Sequence, residues 1–121
     1  MSPWSSVARD RLGVCPLYFR EDGSAAAGTI AALLRHDPAW PVRPDREGLR
    51  RWLCGAPDDR STCVAGIGLV PAGHRLQLGD DGPRLIPPPP LPEPRGDLGD
   101  ALVEAVAAIV AGPRTLALAL S

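Results

Sequence analysis

The stretch ARDRLGVCPLYF, residues 8–19, decides how the rest of the chain is interpreted. Its sequence predicts two strands, at residues 5–10 and 14–19, separated by Arg11, Leu12 and Gly13. Gly13 is available for the positive φ that a tight turn requires. Pro16 has no amide hydrogen, so it indicates a sheet edge or a bulge in the second strand. The stretch therefore predicts β structure at the start of the chain.

Two short amphipathic helices are predicted between residues 28 and 55. In the first, apolar residues recur at i, i+3 and i+4, namely Ile30, Leu33 and Leu34. The segment His36-Asp37-Pro38 ends it, because the residue before a proline avoids the α region. In the second helix Asp45 is the expected N-cap and Gly55 the expected end. The side chains expected on its buried side are Leu49, Trp52 and Leu53.

The remaining segments divide the chain into three zones, at residues 1–86, 87–96 and 97–121. GHRLQLGDDGPRLI predicts a hairpin with its turn at residues 79–82, near the end of the first zone. The second zone contains PPPPLPEP, in which six of eight residues are proline, so it predicts an extended polyproline II linker. In the third zone Asp97 caps a predicted helix, and a buried strand is predicted at residues 115–120. The apolar stripe of that helix comprises Leu98, Leu102, Ala105, Val106 and Ile109.

Composition excludes several classes of function. The formal net charge of −1 argues against a nucleic-acid or membrane-surface footprint. Three cysteines without a CxxC pair argue against a disulfide framework and against a zinc site. No apolar segment reaches the roughly 18 residues of a membrane span, and the N-terminus has no signal-peptide core. We therefore expect a soluble, cytoplasmic protein with no metal site of its own.

Two stretches, in order, carry a family resemblance. ARDRLGVCPLYF resembles the ARDxxGxxPLYY segment of the glutamine amidotransferase domain of asparagine synthetases. GIGLVPAGHRLQL, residues 66–78, resembles the later G-x-x-L-P-P-G-H segment of the same domain. The chain departs from the family at Cys15, Thr29 and Ala72, where lysine or arginine, glutamate and proline are usual. The matching positions are Arg9, Asp10, Gly13, Pro16, Leu17, Tyr18, Pro71, Gly73 and His74.

The resemblance implies an α+β fold. Residues 1–86 would be the C-terminal part of a class II amidotransferase-like domain, with a partial Ntn-hydrolase-type antiparallel sheet. Residues 97–121 would be the first helix and strand of an α/β ATP-pyrophosphatase-type synthetase domain. LALALS matches the strand that leads into the family's SGGxDS pyrophosphate loop, so Leu120 and Ser121 are the expected ATP-binding positions. We accordingly expect the chain to be a piece of a longer enzyme and to be inactive alone.

The resemblance also implies a chemistry. The family hydrolyses glutamine with an N-terminal cysteine and passes ammonia to a second site, where ATP and Mg²⁺ activate a carboxylate as an acyl-adenylate. The nucleophile and the glutamine-binding residues lie upstream in the family, so no catalytic, glutamine-binding or metal-binding residue is assigned here. ATP and Mg²⁺ are expected in the parent enzyme and no cofactor in this chain alone. The expected partners are the rest of the enzyme and a small-molecule or peptide carboxylate, with a homodimer left open and neither nucleic acid nor membrane.

Structural roles are expected for the conspicuous polar residues of the two motifs. Asp10 should bond the turn amides before Gly13, and Arg9 should pair with a neighbouring carboxylate or carbonyl. His74 is expected to orient a strand end, and Cys15 to be a packing or surface residue, because its activation would require a nearby histidine.

Two alternatives remain open. The parent could close a peptide or small-molecule ring, as lasso-peptide cyclases and β-lactam synthetases do with the same adenylation chemistry and an intramolecular amine. The differences from the asparagine synthetase motifs at Cys15, Thr29 and Ala72 slightly favour this alternative. The chain could instead be a non-catalytic remnant that binds a partner through its exposed strand.

Overall fold

The computed structural model describes residues 5–93 and 96–112, with only the backbone of Ser5. The chain divides into two compact units, residues 1–89 and 90–121. Among the described residues, the first unit holds six strands and two helices, and the second holds one helix. In chain order these elements are β1 (Ser5–Ala8), β2 (Tyr18–Arg20), β3 (Ala26–Ala27), α1 (Ile30–His36), α2 (Arg46–Leu53), β4 (Ile67–Leu69), β5 (Arg75–Gly79), β6 (Gly82–Ile86) and α3 (Leu98–Val110).

The strands of the first unit form two antiparallel sheets. One has the order β1-β5-β6, with Leu76 opposite Val7 on one side and Leu85 on the other. The second has the order β3-β2-β4, with Phe19 opposite Ala26 and Gly68. The predicted hairpin is confirmed as β5 and β6, which close at the pair Gly79–Gly82. Antiparallel sheets combined with helices confirm the prediction of a mixed α+β fold.

The prediction for the first two strands is wrong in extent and in arrangement. The strands are shorter than residues 5–10 and 14–19, and β1 and β2 belong to different sheets. Pro16 lies in the loop before β2 rather than in a strand. The reason is that residues 9–15 form a loop closed by the Arg9 and Asp10 side chains, and this loop also bonds to the β4–β5 connection, as described below.

The two helices of the first unit begin at N-caps, of which Asp45 was predicted and Thr29 was not. Thr29 Oγ1 accepts a hydrogen bond from the Ala32 amide at 3.1 Å, and Asp45 Oδ1 accepts one from the Gly48 amide at 2.6 Å. Each bond satisfies one of the amides that a first helical turn leaves free. Leu33 on α1 is 1% exposed and anchors that helix, which ends at Asp37 as predicted.

The predicted buried face of α2 is wrong for two of its three residues. Leu49 is partly buried, but Trp52 and Leu53 are 63% and 74% exposed. The helix instead packs through Gly48, where a β-carbon would collide with the Thr62 carbonyl oxygen. Contact through a glycine brings backbone against backbone, so the larger side chains one turn later are left outside the core.

The core of the first unit is a small cluster to which both sheets contribute. Its buried members are Leu17, Phe19, Val70 and Leu76, and Leu33 and Ile67 are buried elsewhere in the unit. Ala26 of the second sheet and Leu78 and Leu85 of the first pack against the cluster. Each fully buried leucine or phenylalanine contributes about 1.5–3 kcal/mol. The two sheets are therefore held to each other by few side chains.

The second unit is described by α3 alone. Asp97 caps it as predicted, with its Oδ1 accepting from the Asp100 amide at 2.9 Å. No residue of α3 is buried, and its predicted stripe is exposed from Leu98 to Ile109. The strand predicted at residues 115–120 lies outside the described residues. Within residues 5–93 and 96–112, no helix has the length and apolar character needed to cross a membrane.

Candidate functional site

The two motif segments meet at the Arg9 side chain. Its guanidinium donates hydrogen bonds to three backbone carbonyls, those of Cys15 at 3.2 Å, Gly13 at 2.7 Å and Val70 at 2.7 Å. The first two carbonyls belong to the loop after β1, whereas Val70 lies between β4 and β5. The Arg9 amide also donates to the His74 carbonyl at 2.9 Å. One arginine thus ties the RDRLG segment to the PAGH segment.

Asp10 holds the same loop from its other side. Its carboxylate accepts from the Cys15 amide at 2.8 Å and from the Val14 amide at 3.0 Å. Its backbone carbonyl accepts from the Gly13 and Gly73 amides. These donors, the Cys15 amide above all, hold the pKa of Asp10 below its ordinary value. The carboxylate therefore bonds to amides after Gly13, not before it as the sequence suggested.

Gly13 is required where the loop turns. Its φ is +68°, and a β-carbon there would lie 3.1 Å from both the Ala72 β-carbon and an Arg9 guanidinium nitrogen. Backbone conformation and lack of space thus both favour glycine at this position. We call the arrangement of Arg9, Asp10, Gly13 and the 70–74 segment the loop clamp.

The remaining motif residues lie in the loop clamp, in the core beside it or at a separate cleft. Leu17 lies in the core, and its carbonyl accepts from the Val70 amide at 2.8 Å. Pro71 is fully buried, whereas Pro16 is exposed. His74 Nδ1 lies 3.1 Å from the Ala72 carbonyl oxygen, to which the Nδ1–H tautomer donates. The structure thus brings the PAGH residues onto Arg9 and Asp10. Tyr18 instead lines a separate cleft.

The cleft beside Tyr18 has a volume of about 250 Å³ and lies between the second sheet and α2. Trp52 and Cys63 also line it. Its acidic residue, Asp58, is already engaged, since it accepts bonds from Arg51 and from the Ser61 hydroxyl. No hydrogen bond joins a cysteine or serine to a histidine in residues 5–93 and 96–112. The described residues therefore contain no activated nucleophile of the Ser-His or Cys-His kind.

Sequence reasoning missed the buried Arg20 altogether. Arg20 is 3% exposed, its guanidinium lies 4.5 Å from the centre of the Trp40 ring, and it forms a 3.4 Å ion pair with Asp37. It also donates to the Ser24 hydroxyl and to the Leu33 carbonyl, while its Nε has no partner among the described residues. An arginine at the end of an apolar run ordinarily indicates a strand leaving the core. The spacing of Arg20, Asp37 and Trp40 in the sequence gives no indication that these three side chains contact one another.

The described residues contain no set of side chains suited to a Mg²⁺ ion. Nowhere in residues 5–93 and 96–112 do three histidine, cysteine, aspartate or glutamate residues lie close enough to hold a metal ion. Cys15 and Cys54 are exposed and Cys63 is partly buried. The expected ATP-binding positions, Leu120 and Ser121, lie outside the described part of the chain.

A model of the glutamine amidotransferase domain matches residues 4–86. The chain belongs to this family. The match covers both motif segments and all six strands of the first unit, and it ends at the last residue of β6. Neither a search of curated proteins nor a search of solved structures gave a match. Membership of the amidotransferase family indicates a role in donating ammonia derived from glutamine.

Proposed function

We propose that this amidotransferase domain belongs to an amide ligase of the asparagine-synthetase type. In such an enzyme glutamine is hydrolysed to glutamate and ammonia, and ammonia replaces the adenylate of an activated carboxylate, so that an amide and AMP are formed. The ATP-dependent steps are assigned to residues beyond those described, including Leu120 and Ser121. For the 121-residue chain alone we expect neither glutamine hydrolysis nor ATP consumption.

The loop clamp is the observation that carries this proposal. The two segments that resemble the asparagine synthetases are 47 positions apart in the chain, from Phe19 to Gly66, yet residues from both bond to the same arginine and aspartate. Arg9 reaches the Val70 carbonyl, and the Asp10 carbonyl accepts from the Gly73 amide. Because residues of both motifs form one hydrogen-bonded cluster, the two short sequence matches together support the resemblance to asparagine synthetases. Either match alone would support it less.

The proposed domain boundaries are those predicted from the sequence. Residues 1–86 would be the later part of the amidotransferase domain, 87–96 a linker, and 97–121 the beginning of the synthetase domain. The exposed apolar surface of α3 supports the last assignment, because a helix that is apolar over most of its circumference ordinarily lies inside a larger core.

The test uses the open reading frame around the codons of this chain. We expect the codons after Ser121 to encode Gly-Gly-x-Asp-Ser, and the encoded protein to form AMP and pyrophosphate only when a carboxylate substrate is added. Exchange of labelled pyrophosphate into ATP, screened over amino acids and peptides, measures the adenylation step. A frame without that loop, or an encoded protein with no carboxylate-dependent exchange, would contradict the proposal.

A ring-closing ligase is the second candidate, favoured by the departures from the asparagine synthetase motifs. The structure gives two of these residues a local use: Thr29 caps α1, and Ala72 packs against Gly13. AMP formation that needs no glutamine, together with loss of a free amine from the substrate, would favour this candidate. Glutamine-dependent AMP formation would favour the synthetase reading.

A further inference from the structure

Residues 87–90 are four successive prolines that follow β6 directly. The first compact unit extends through Pro89, so it includes three of them. Pro88 is partly buried, whereas the prolines on either side of it are exposed. We call residues 87–89 the proline strap. None of its residues pairs in a sheet, yet the strap belongs to the first unit and not to the spacer that follows it.

Two residues of the motif segments hold the proline strap. Arg11, in the loop after β1, donates from its guanidinium to the Pro89 carbonyl at 3.2 Å. A β-carbon at Gly73 would lie 3.2 Å from Pro88 Cγ and 3.5 Å from Arg11 Cγ. The Pro88 ring and the aliphatic part of the arginine therefore both lie against the Gly73 backbone. The strap is thus attached to β6 at its first residue and to Arg11 at its last.

The strap spans a recess instead of packing closely over the first sheet. The recess has a volume of about 220 Å³, and its walls are Ala8, Gly73, Arg75, Ile86 and the strap itself. None of the buried residues of the core cluster lines it, so the strap can leave the first unit without opening the core. Successive prolines are stiff and lose little conformational freedom on docking, so one hydrogen bond and one ring contact can hold them.

We propose that the proline strap is a releasable latch, held by Arg11 and controlled by the loop clamp. Arg11 follows Asp10 in the chain, and the Gly73 amide donates to the Asp10 carbonyl, so the loop clamp positions both residues that hold the strap. A change that loosens the loop clamp therefore also releases the strap. Release lengthens the spacer between the two units by three residues, about 9 Å in the polyproline II conformation. The proposal is independent of the ligase function proposed above.

Carbon-detected NMR of the 121-residue chain tests the latch, because it observes prolines, which have no amide hydrogen. We expect backbone order parameters of about 0.85 at Pro88 and Pro89, a lower value at Leu91, and an NOE between the Gly73 α-protons and the Pro88 ring. Arg11→Met keeps the aliphatic part of the side chain but removes the donor. It should lower the Pro89 order parameter below about 0.6 and abolish the NOE.

The control for the donor is Arg84→Met, at an exposed position of β6, which should leave the strap ordered. The control by the loop clamp is tested with Asp10→Asn, which weakens the bonds to the Val14 and Cys15 amides without touching the strap. It should lower the Pro89 order parameter as Arg11→Met does.

Three results would overturn the proposal. The first is a wild-type chain in which Pro88 and Pro89 have the same order parameter as Leu91. The second is a strap that stays ordered in Arg11→Met, or that is released equally by Arg84→Met. The third is an Asp10→Asn chain with an unchanged strap, which would show that the loop clamp does not control the latch.

Discussion

Arg9 donates a 2.7 Å hydrogen bond to the carbonyl of Val70, a residue 61 positions later in the chain. The bond joins the loop after β1 to the connection between β4 and β5, and the Arg9 amide bonds to the His74 carbonyl in the same region. Because the hydrophobic core is small, a few charge-assisted bonds of this kind form a large part of what orders this end of the amidotransferase domain.

Replacing Arg9 should destabilise the fold substantially. Arg9→Ala removes three hydrogen bonds to carbonyls and leaves the Val70 and Gly13 oxygens without this donor. We expect the free energy of unfolding to fall by about 3 kcal/mol, measured by urea denaturation. Arg9→Lys should recover only part of the loss, since an ammonium group cannot span the same acceptors.

Arg84→Ala is the matched control for this change. Arg84 is exposed on β6 and makes no side-chain hydrogen bond among the described residues. We expect its replacement to change the free energy of unfolding by less than about 0.5 kcal/mol. Equal losses in the two variants would show that the Arg9 bonds do not stabilise the domain.

The Asp10 carboxylate should make stability depend on pH in acid. Amides of Cys15 and Val14 lower its pKa in the folded state, so the unfolded chain binds the proton more tightly. The contribution is fully present above the unfolded pKa of about 3.9 and is lost as the pH falls through the lower folded pKa. Asp10→Asn lacks this contribution, because an amide group cannot accept from both backbone amides as a carboxylate does.

The measurement is the difference in urea midpoint between wild type and Asp10→Asn as a function of pH. We expect the difference to be largest near neutral pH and to shrink below about pH 4. Using the difference removes the effects of other carboxylates with lowered pKa, such as Asp22 and Glu47. Asp81→Asn, in the hairpin turn, should behave as wild type. A difference that stays constant down to about pH 2 would contradict the role given to Asp10.

Substituting Gly13 should cost more than its backbone conformation alone explains. Gly13 and Gly55 both have φ of +68°, but a β-carbon at Gly55 meets nothing within 4 Å, whereas one at Gly13 meets Ala72 and Arg9. We expect Gly55→Ala to cost about 1 kcal/mol and Gly13→Ala at least about 1 kcal/mol more. Thermal unfolding of both variants gives the comparison. Equal losses of stability in the two variants would mean that the loop moves to accommodate the added β-carbon and that the loop clamp is not rigid.

The buried Arg20 should tolerate an apolar replacement better than loss of its partner. Arg20→Met removes a desolvated charge whose Nε has no partner among the described residues, so we expect a change within about 1 kcal/mol. Asp37→Ala leaves the guanidinium buried without its carboxylate and should cost about 2 kcal/mol. Urea denaturation measures both. A larger loss in Arg20→Met than in Asp37→Ala would show that the arginine itself holds this region.

Local rules in the sequence predicted the three helices and the β5–β6 hairpin, whereas β3 and β4 were not predicted and long-range contacts decided the arrangement of the sheets. The helix Ile30–His36, the Asp45 cap and the hairpin at residues 75–86 were predictable because apolar periodicity, caps, prolines and turn residues act over a few positions. The separation of β1 and β2 into different sheets was not, because it depends on Arg9 reaching Val70. The exposure of Trp52 likewise follows from the contact of Gly48 with Thr62, which no periodicity records.

The motif residues were identified by the resemblance, but most of their hydrogen-bond partners were not predicted. Asp10 and Arg9 were expected to bond near the turn, and the bonds between the two motifs appeared only in the structure. Arg20 gave no signal at all, since a buried arginine after an apolar strand has the same sequence pattern as an exposed one.

Amide hydrogen exchange tests the loop clamp most directly. The amides of Val14 and Cys15 bond to the Asp10 carboxylate and the Gly73 amide to its backbone carbonyl, although Val14 and Cys15 lie in an exposed loop. We expect all three amides to be protected in the 121-residue chain, and Arg9→Ala to reduce their protection together. Exchange of these amides at the rate of an unfolded chain would contradict the account.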